Sequence, residues 1–307
     1  MRNAVINYIY QQAKKDKDIM LLVGDLWYSV IEEFQKDLPD QFINVGIAEQ
    51  NMAWIAAGLA LTGKKVFCYS IIPFLIMRCY EQIRVDICIQ NLDVNFIGVA
   101  GWFAYGTLGN THYSIEDINI MKWLPNMKII APADKYEAEV WMSYLLHHKW
   151  PFFVRLNRGW EPTVYENWLP VGSNIENWFE VKRWNDILLI STWNILKNVL
   201  ETASLLELQW LSVQVLSIPL VKPMNQNSIL QYMKWKKWVF TIEEHNIIWW
   251  LWDSIASIIA ENGIQIKFKK FWIPDVFPSI VWNQEYMRGL VWLDLETLAK
   301  NILIALS

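Results

Sequence analysis

The sequence predicts an α/β protein built from two doubly wound domains. Short apolar runs alternate with amphipathic stretches along the 307 residues, which is typical of βα units that form a parallel sheet. A chain of this length accommodates two ordinary domains. Between 157 and 183, two prolines and many polar residues without a helical period indicate a connection between the domains.

The first domain is predicted to span residues 1–160, with strands and helices in alternation. Its apolar runs predict strands at 19–24, 66–69, 94–99, 128–131 and 152–156. Its helical stretches are 29–36, 51–61, 77–90, 115–123 and 136–147. The alanine-rich composition of the second of these helices indicates that it is buried.

A linker at 161–183 leads to a second domain, predicted at 184–307. Its strands are expected at 187–191, 213–218 and 238–243, and its helices at 195–207, 254–262 and 295–306. Neither an internal repeat nor a low-complexity segment interrupts this pattern.

Charge and composition favour small molecules or proteins as partners. The net charge is -4 and the charged residues form no block of one sign, so the sequence indicates no nucleic-acid partner. Cys68, Cys79 and Cys88 have neither disulfide-framework nor zinc spacing. The longest apolar run, 66–77, is broken by a serine and a proline, which predicts no membrane span. We expect a cytoplasmic protein.

Tryptophan is unusually abundant in this chain. Its 20 tryptophans outnumber its 12 glycines, whereas glycine makes up about 7% of average proteins. Trp249, Trp250 and Trp252 lie between a predicted strand and a predicted helix, where a tight turn normally uses glycine. Two explanations remain: an unusually aromatic protein, or glycine codons written as tryptophan.

The segment FINVGIAEQNMAWIAAGLALTGKKVFCYSIIPFLIMRCYEQIRVDI, residues 42–87, resembles the pyrimidine-binding domain of transketolases and 1-deoxyxylulose-5-phosphate synthases. The later segments ILLISTWNIL, VLSIPLVKPMN, FTIEEHNIIWWLWDS and IVWNQEYMR resemble the C-terminal domain of the same family. The resemblance implies the C-terminal half of a thiamine-diphosphate-dependent, transketolase-like enzyme, which transfers a two-carbon ketol unit between sugar phosphates. The family has glycine where this chain has Trp27, Trp54, Trp102, Trp150, Trp160, Trp193, Trp249, Trp250, Trp252 and Trp282.

These matches suggest that UGA codons, which some bacteria translate as glycine, were written as tryptophan. The hypothesis has a structural consequence. Several of these tryptophans should lie in turns, and some should have a positive φ, which is an outlier for a bulky residue.

Glu49, in GIAEQNM, matches the glutamate that the family places against N1′ of the cofactor's aminopyrimidine. A carboxyl group hydrogen-bonded there promotes the tautomer that removes the thiazolium proton. Without the resemblance, a glutamate at a helix start would be interpreted as a capping or dipole residue. The resemblance makes Glu49 the first catalytic candidate.

Three residues of IIPFLIMRCYEQ resemble the lining of the pyrimidine pocket in deoxyxylulose-phosphate synthases: Phe74, Arg78 and Tyr80. An aromatic side chain after a strand can stack on a flat heteroaromatic ring. The alternative is that Phe74 and Tyr80 belong to the core and that Arg78 pairs with a nearby acid.

Four further residues match family positions near the substrate. His112 matches the histidine of the G-x-T-H motif, which contacts the substrate near the reacting carbon and can polarise a carbonyl group or pass a proton. Asp25 and Ser29 match positions facing the thiazolium side of the cofactor and the phosphate end of a sugar phosphate. Arg158 also matches a position that contacts the phosphate, and the planar set of donors on its guanidinium group is suited to that contact.

Two positions depart from the transketolase pattern. An acidic residue and a histidine stand in transketolases where this chain has Leu108 and Ala100, so the usual contacts to the hydroxyl groups of a ketose are in doubt. Glu243, Glu244 and His245 form a cluster that we interpret as structural or interfacial, because it ends a predicted strand just before the turn at 249–252, where the family has glycine.

The chain lacks the Gly-Asp-Gly motif that the family uses to hold magnesium and the diphosphate. The resemblance therefore implies a separate N-terminal transketolase subunit that holds Mg²⁺ and the diphosphate, in a two-fold hetero-oligomer. Alternatives are a deoxyxylulose-phosphate-type synthase, the beta subunit of a 2-oxo acid dehydrogenase, and an interaction-only paralogue.

Overall fold

The computed structural model describes residues 1–26, 30–159, 161–165, 179–182 and 186–307. In chain order, the strands are β1 (Ile19–Val23), β2 (Phe42–Asn44), β3 (Lys65–Ile71), β4 (Val94–Val99), β5 (Lys128–Ile130), β6 (Phe152–Leu156), β7 (Phe179–Lys182), β8 (Ile187–Ser191), β9 (Val213–Ser217), β10 (Leu220–Lys222), β11 (Trp238–Asn246) and β12 (Lys267–Ile273).

The α-helices are Arg2–Ala13, Glu32–Asp37, Glu49–Leu61, Tyr80–Gln82, Asp117–Lys122, Lys135–His147, Leu196–Glu207, Gln226–Met233, Leu251–Glu261, Gln284–Leu290 and Leu295–Leu306. Among the described residues, three 3₁₀ segments (Pro39–Gln41, Trp102–Leu108, Trp193–Ile195) and two π-helical segments (Pro73–Met77, Ile83–Cys88) complete the helical structure.

Two sheets confirm the predicted α/β fold. The first has seven strands in the order β10-β5-β6-β4-β3-β1-β2, all parallel except β10, which runs antiparallel to β5. Within the described part of the chain, the second has five strands in the order β12-β11-β8-β9-β7, of which only β7 is antiparallel to its neighbour. Parallel strands covered on both sides are buried throughout, and β1, β4, β6, β8 and β9 have every residue buried.

Two strands depart from the predicted division of the chain. β7 falls within 161–183, the segment assigned to the linker, and pairs with β9 of the second sheet. β10, from beyond the linker, extends the first sheet instead of the second. The first sheet therefore includes one strand from the second half of the chain.

Local differences from the predicted elements have identifiable causes. The helix expected at 77–90 is replaced by two π-helical segments around the short helix Tyr80–Gln82. Cys79 closes the first of these segments by donating from Sγ to the Leu75 carbonyl at 2.8 Å. The helix Arg2–Ala13 and the three-residue strand β2 went unpredicted, since both are weakly patterned.

Among the described residues, six tryptophans have a left-handed φ: Trp102 (53°), Trp193 (64°), Trp210 (62°), Trp235 (67°), Trp249 (49°) and Trp292 (61°). Trp102, Trp193 and Trp249 are among the positions where the family has glycine, as the codon hypothesis predicts. The other three follow the C-terminus of a helix within three residues, where glycine normally ends a helix. Gly63 and Gly263 occupy equivalent places after two other helices, with φ of 93° and 61°. Tryptophan thus stands where this chain elsewhere uses glycine.

Buried indoles show a second conflict with ordinary tryptophan. Trp102, Trp141, Trp193 and Trp250 are fully buried, and their Nε1 atoms have no hydrogen-bond partner among the described residues. A buried tryptophan usually finds such a partner, and a buried unsatisfied donor costs about 1–3 kcal/mol.

The three cysteines are buried and unpaired as thiols, and burial raises the pKa of each. In the parts of the chain that the structure describes, no helix has the length and apolar composition needed to cross a bilayer.

Candidate active site

The predicted site residues lie at one edge of the first sheet. Its parallel strands β6, β4, β3, β1 and β2 are neighbours, so their carboxyl ends meet along that edge. Asp25 follows β1, Glu49 follows β2, Phe74 follows β3, His112 follows β4 and Arg158 follows β6.

Glu49 begins the helix Glu49–Leu61, and its side chain is only 3% exposed. The end of β1 packs against it: a Cβ added at Gly24 would lie 3.7 Å from Glu49 Oε1 and 3.3 Å from Ser70 Oγ. Arg78 donates from Nη1 to both carboxylate oxygens, at 3.1 Å each. The buried carboxylate is thereby paired by a residue on the next helical segment.

Phe74 joins this pair to the histidine of the G-x-T-H motif. Phe74 and Arg78 are four residues apart in the turn that begins at Pro73, which places their side chains on one side. The Arg78 Cζ lies 4.1 Å from the Phe74 ring centroid, and the His112 ring meets Phe74 edge-on at 5.4 Å. The structure therefore brings Glu49, Arg78, Phe74 and His112 into one cluster, here called the glutamate cluster.

The loop that carries His112 is held by the second domain. The side-chain amide of Asn110 donates to the Pro278 carbonyl at 3.0 Å. A Cβ at Gly106 would overlap the Trp282 carbonyl oxygen, so the two backbones touch there. Within the loop, Thr111 Oγ1 lies 2.8 Å from His112 Nδ1. Sequence reasoning missed this support, because no local pattern joins positions 168 residues apart.

Other predicted residues lie beside the cluster. Asp25 has a φ of 53°, and its backbone nitrogen donates to Asn44 at 3.3 Å. Arg158 is exposed and lies over the Tyr105 ring at 5.1 Å. The Tyr80 hydroxyl donates to the Ile120 carbonyl at 2.9 Å, which ties it to the helix Asp117–Lys122. Contacts of these three with cofactor or substrate stay predictions.

Some positions carry no new assignment. Ser29 lies outside the described residues, as do Trp27 and Trp160. Leu108 is 50% exposed, and Ala100 is buried with a φ of 71°.

Two groups of buried charged side chains lie around residues 244 and 245, one of them between the two domains and one within the second. Asp117 accepts from Arg155 at 2.6 Å, and His245 Nε2 lies 3.9 Å from the same carboxylate, all three side chains being fully buried. Glu244 accepts from Arg288 at 2.8 Å. Burial and Arg155 hold the pKa of His245 well below its ordinary value, so His245 is neutral there. These contacts are consistent with a structural role for Glu244 and His245.

The glutamate cluster suits an aminopyrimidine ring. Such a ring needs a carboxyl group shielded from water for its nitrogen and a flat aromatic face for its π-system, and Glu49 and Phe74 supply these two features. Ser70 Oγ, buried beside Gly24, lacks a hydrogen-bond partner among the described residues, which leaves an unused polar atom beside the carboxyl group.

Fold and site define a chain of the transketolase class, in which an α/β pyrimidine-binding domain precedes an α/β C-terminal domain. Residues 1–161 match the family described as transketolase, pyrimidine binding domain. Residues 178–287 match the family described as transketolase, C-terminal domain. The chain belongs to the transketolase family.

Several relatives are similar over most of the chain. An apulose-4-phosphate transketolase subunit from Actinobacillus succinogenes is 29% identical, with 97% of this chain and 96% of the relative covered. An apulose-4-phosphate transketolase subunit from Phocaeicola vulgatus is 31% identical, with 89% of this chain and 87% of the relative covered. The 1-deoxy-D-xylulose-5-phosphate synthase of Bacillus cereus is 32% identical, with 81% of this chain but only 40% of the synthase covered.

A solved structure described as a split gene transketolase, inactive beta4 tetramer, has a TM-score of 0.89 to this chain. It is 26% identical, with 99% of this chain and 97% of that chain covered. The similarity to transketolase subunits and to the synthase was predicted from the sequence and is confirmed.

Proposed function

We propose that this chain is the C-terminal subunit of a thiamine-diphosphate-dependent transketolase-like enzyme that transfers a two-carbon ketol unit between sugar phosphates. The observation that carries the proposal is the position of Glu49, a buried carboxylate at a helix start within the same cluster as Phe74 and the G-x-T-H histidine. When bound, the cofactor supplies a nucleophilic thiazolium carbon.

The side chains of the glutamate cluster have separate tasks. Glu49 exchanges a proton with N1′ of the aminopyrimidine ring, and its burial shields that exchange from water. Phe74 packs against the ring face. His112, at the rim, polarises the carbonyl group of the substrate or passes it a proton.

Arg158 supplies the phosphate contact of the substrate. Its guanidinium group is exposed at the carboxyl edge of the sheet, where its planar donors can bind two phosphate oxygens. Ser29 and Asp25 retain the roles that the resemblance implies, toward the substrate phosphate and the cofactor.

A separate N-terminal subunit completes the site. Two relatives that match most of this chain are named as transketolase subunits, and the chain contains no Gly-Asp-Gly motif. Mg²⁺ and the diphosphate are held by that partner, and the assembly is a two-fold hetero-oligomer in the cytoplasm.

Reconstitution tests this function. The chain, carrying the residues that peptide mass spectrometry assigns at its tryptophan positions, is mixed with the partner subunit, thiamine diphosphate, Mg²⁺ and pairs of sugar phosphates. Ketol transfer is expected from the mixture and not from this chain alone. Pyruvate with a triose phosphate as substrates would instead identify a deoxyxylulose-phosphate-type synthase, and acceptance of a lipoyl domain would identify a 2-oxo acid dehydrogenase subunit.

The matched variants are Glu49→Gln and Glu81→Gln. An amide at position 49 cannot exchange a proton, so kcat should fall by at least about 100-fold, the usual size of a general acid–base contribution. Glu81 is exposed on the neighbouring helical segment, and its variant should retain the activity. Full activity of Glu49→Gln would refute the assigned role, and cofactor binding without turnover would favour the interaction-only paralogue.

A further inference from the structure

The contact between Arg78 and Glu49 has a consequence that deepens the proposed function and rests on it. We propose that Arg78 is an internal competitor of the cofactor's aminopyrimidine ring. Arg78 occupies the carboxylate and the aromatic face that the ring requires, and it has to leave both when the ring binds.

The competition begins at the carboxylate. Arg78 Nη1 lies 3.1 Å from Oε1 and 3.1 Å from Oε2 of Glu49, so one donor is shared by both acceptor oxygens. A pyrimidine nitrogen hydrogen-bonded to this carboxyl group needs one of the same oxygens at a similar distance. Because Nη1 bridges both oxygens, a ring nitrogen that approaches from the same side of the carboxylate displaces it.

The same guanidinium group also covers one face of the Phe74 ring. Its Cζ lies 4.1 Å from the Phe74 ring centroid, within the separation at which a planar ligand ring would stack. His112 takes an edge position on Phe74 at 5.4 Å. The planar guanidinium group of Arg78 therefore makes the two contacts that an aminopyrimidine ring would make, a hydrogen bond to Glu49 and a face contact with Phe74.

The two partners differ in their freedom to move. The Glu49 side chain is 3% exposed and belongs to the first turn of a helix, whereas the Arg78 side chain is 43% exposed. Arg78 can therefore turn toward solvent while Glu49 stays in place. When Arg78 points inward, it pairs with the buried carboxylate of Glu49, whose charge would otherwise be buried without a partner and would destabilise the fold.

Affinity for a pyrimidine fragment tests the proposal. The probe is 4-amino-2-methylpyrimidine, titrated calorimetrically into the full chain and its Arg78→Met variant. Removal of the competitor should tighten binding by roughly tenfold, the size expected from a half-exposed ion pair together with a cation–π contact. Arg84→Met is the matched control, because Arg84 is exposed six residues further along and its loss changes the net charge equally.

Unchanged or weaker binding by Arg78→Met would overturn the proposal, since Arg78 would then be neutral or a ligand of the ring. If that variant does not fold, Arg78→Lys serves instead. Lysine keeps the charge but loses the planar group that covers Phe74. The affinity of the Arg78→Lys variant for the fragment should therefore be higher than that of the unchanged chain.

A crystal structure of the unchanged chain with the fragment gives a readout independent of affinity. Arg78 Nη1 should be out of hydrogen-bonding distance of Glu49, and an unmoved Arg78 beside a bound ring would overturn the proposal. Failure of the proposed function has a different signature: no variant binds the fragment and the reconstituted complex transfers no ketol unit, which overturns both.

Discussion

Two exposed tryptophans allow the glycine hypothesis to be tested on stability alone. Trp210 follows the helix Leu196–Glu207 with a φ of 62°, and Trp235 follows the helix Gln226–Met233 with a φ of 67°. Their exposed fractions are 98% and 93%, so their replacement loses almost no packing. The double variant Trp210→Gly/Trp235→Gly should therefore be more stable than the chain as written.

The magnitude follows from the backbone. The left-handed conformation costs an ordinary residue roughly 1–2 kcal/mol, and glycine avoids this cost. The unfolded chain gains freedom with each glycine, which offsets about 0.5–1 kcal/mol per site. A net gain of about 1–2 kcal/mol for the pair remains, and this raises the thermal midpoint by a few degrees in a protein of this size.

The matched control is Trp123→Gly. Trp123 is 72% exposed, but its φ is -74° in the right-handed region at a helix end. Glycine there brings only the entropic cost, so this variant should be destabilised by about 0.5–1 kcal/mol. Thermal unfolding of the three chains gives the comparison. Equal or lower stability of the double variant, with the control behaving as expected, would refute the reasoning from backbone strain.

Three further predictions concern the protein as it is made and its buried charges. Tandem mass spectrometry of the natively expressed protein should find glycine at position 102. Tryptophan in that peptide, or a UGG codon in the gene at that position, would refute the codon hypothesis. Burial raises the pKa of Glu137 to about 7 from an ordinary 4.5, so the folded state binds more protons than the unfolded state in this range. The free energy of unfolding should therefore fall as the pH rises from 4.5 to 7. Glu137→Gln should reduce that fall by on the order of 3 kcal/mol, and parallel curves across this range would contradict the assignment. Asp117→Asn leaves the buried Arg155 unpaired and should lower the free energy of unfolding, measured by urea titration, by about 3–5 kcal/mol. Asp18→Asn, which removes an exposed ion pair, should lower it by less than about 1 kcal/mol in the same measurement.

The grouping of the site residues was partly predictable from the sequence. Strands β1, β3, β4 and β6 could be recognised from their apolar runs, and the carboxyl ends of parallel strands share one edge of a sheet. The motif around Glu49 then identified which residue at that edge carries the proposed chemistry. The left-handed φ of Trp102, Trp193 and Trp249 was also anticipated, because tight turns after a strand or a helix favour glycine.

The contacts within that edge could not be predicted in this way. Arg78 could have been assigned to a pocket wall or to an ion pair, and the structure pairs it with Glu49 across 29 residues of sequence. Asn110 contacts Pro278 across 168 residues. Neither distance leaves a periodic or local signature, since each depends on how separate segments pack.

The sequence by itself determined the α/β class, most of the strands that border the site, and the tryptophan anomaly, because these depend on local periodicity and on the conformational limits of single residues. The tertiary structure alone decided that β10 extends the first sheet, that the second domain holds the His112 loop, and that Arg78 covers the Glu49 carboxylate. These features arise from the pairing of distant backbone and side-chain groups, which lowers the free energy only when the whole chain is folded.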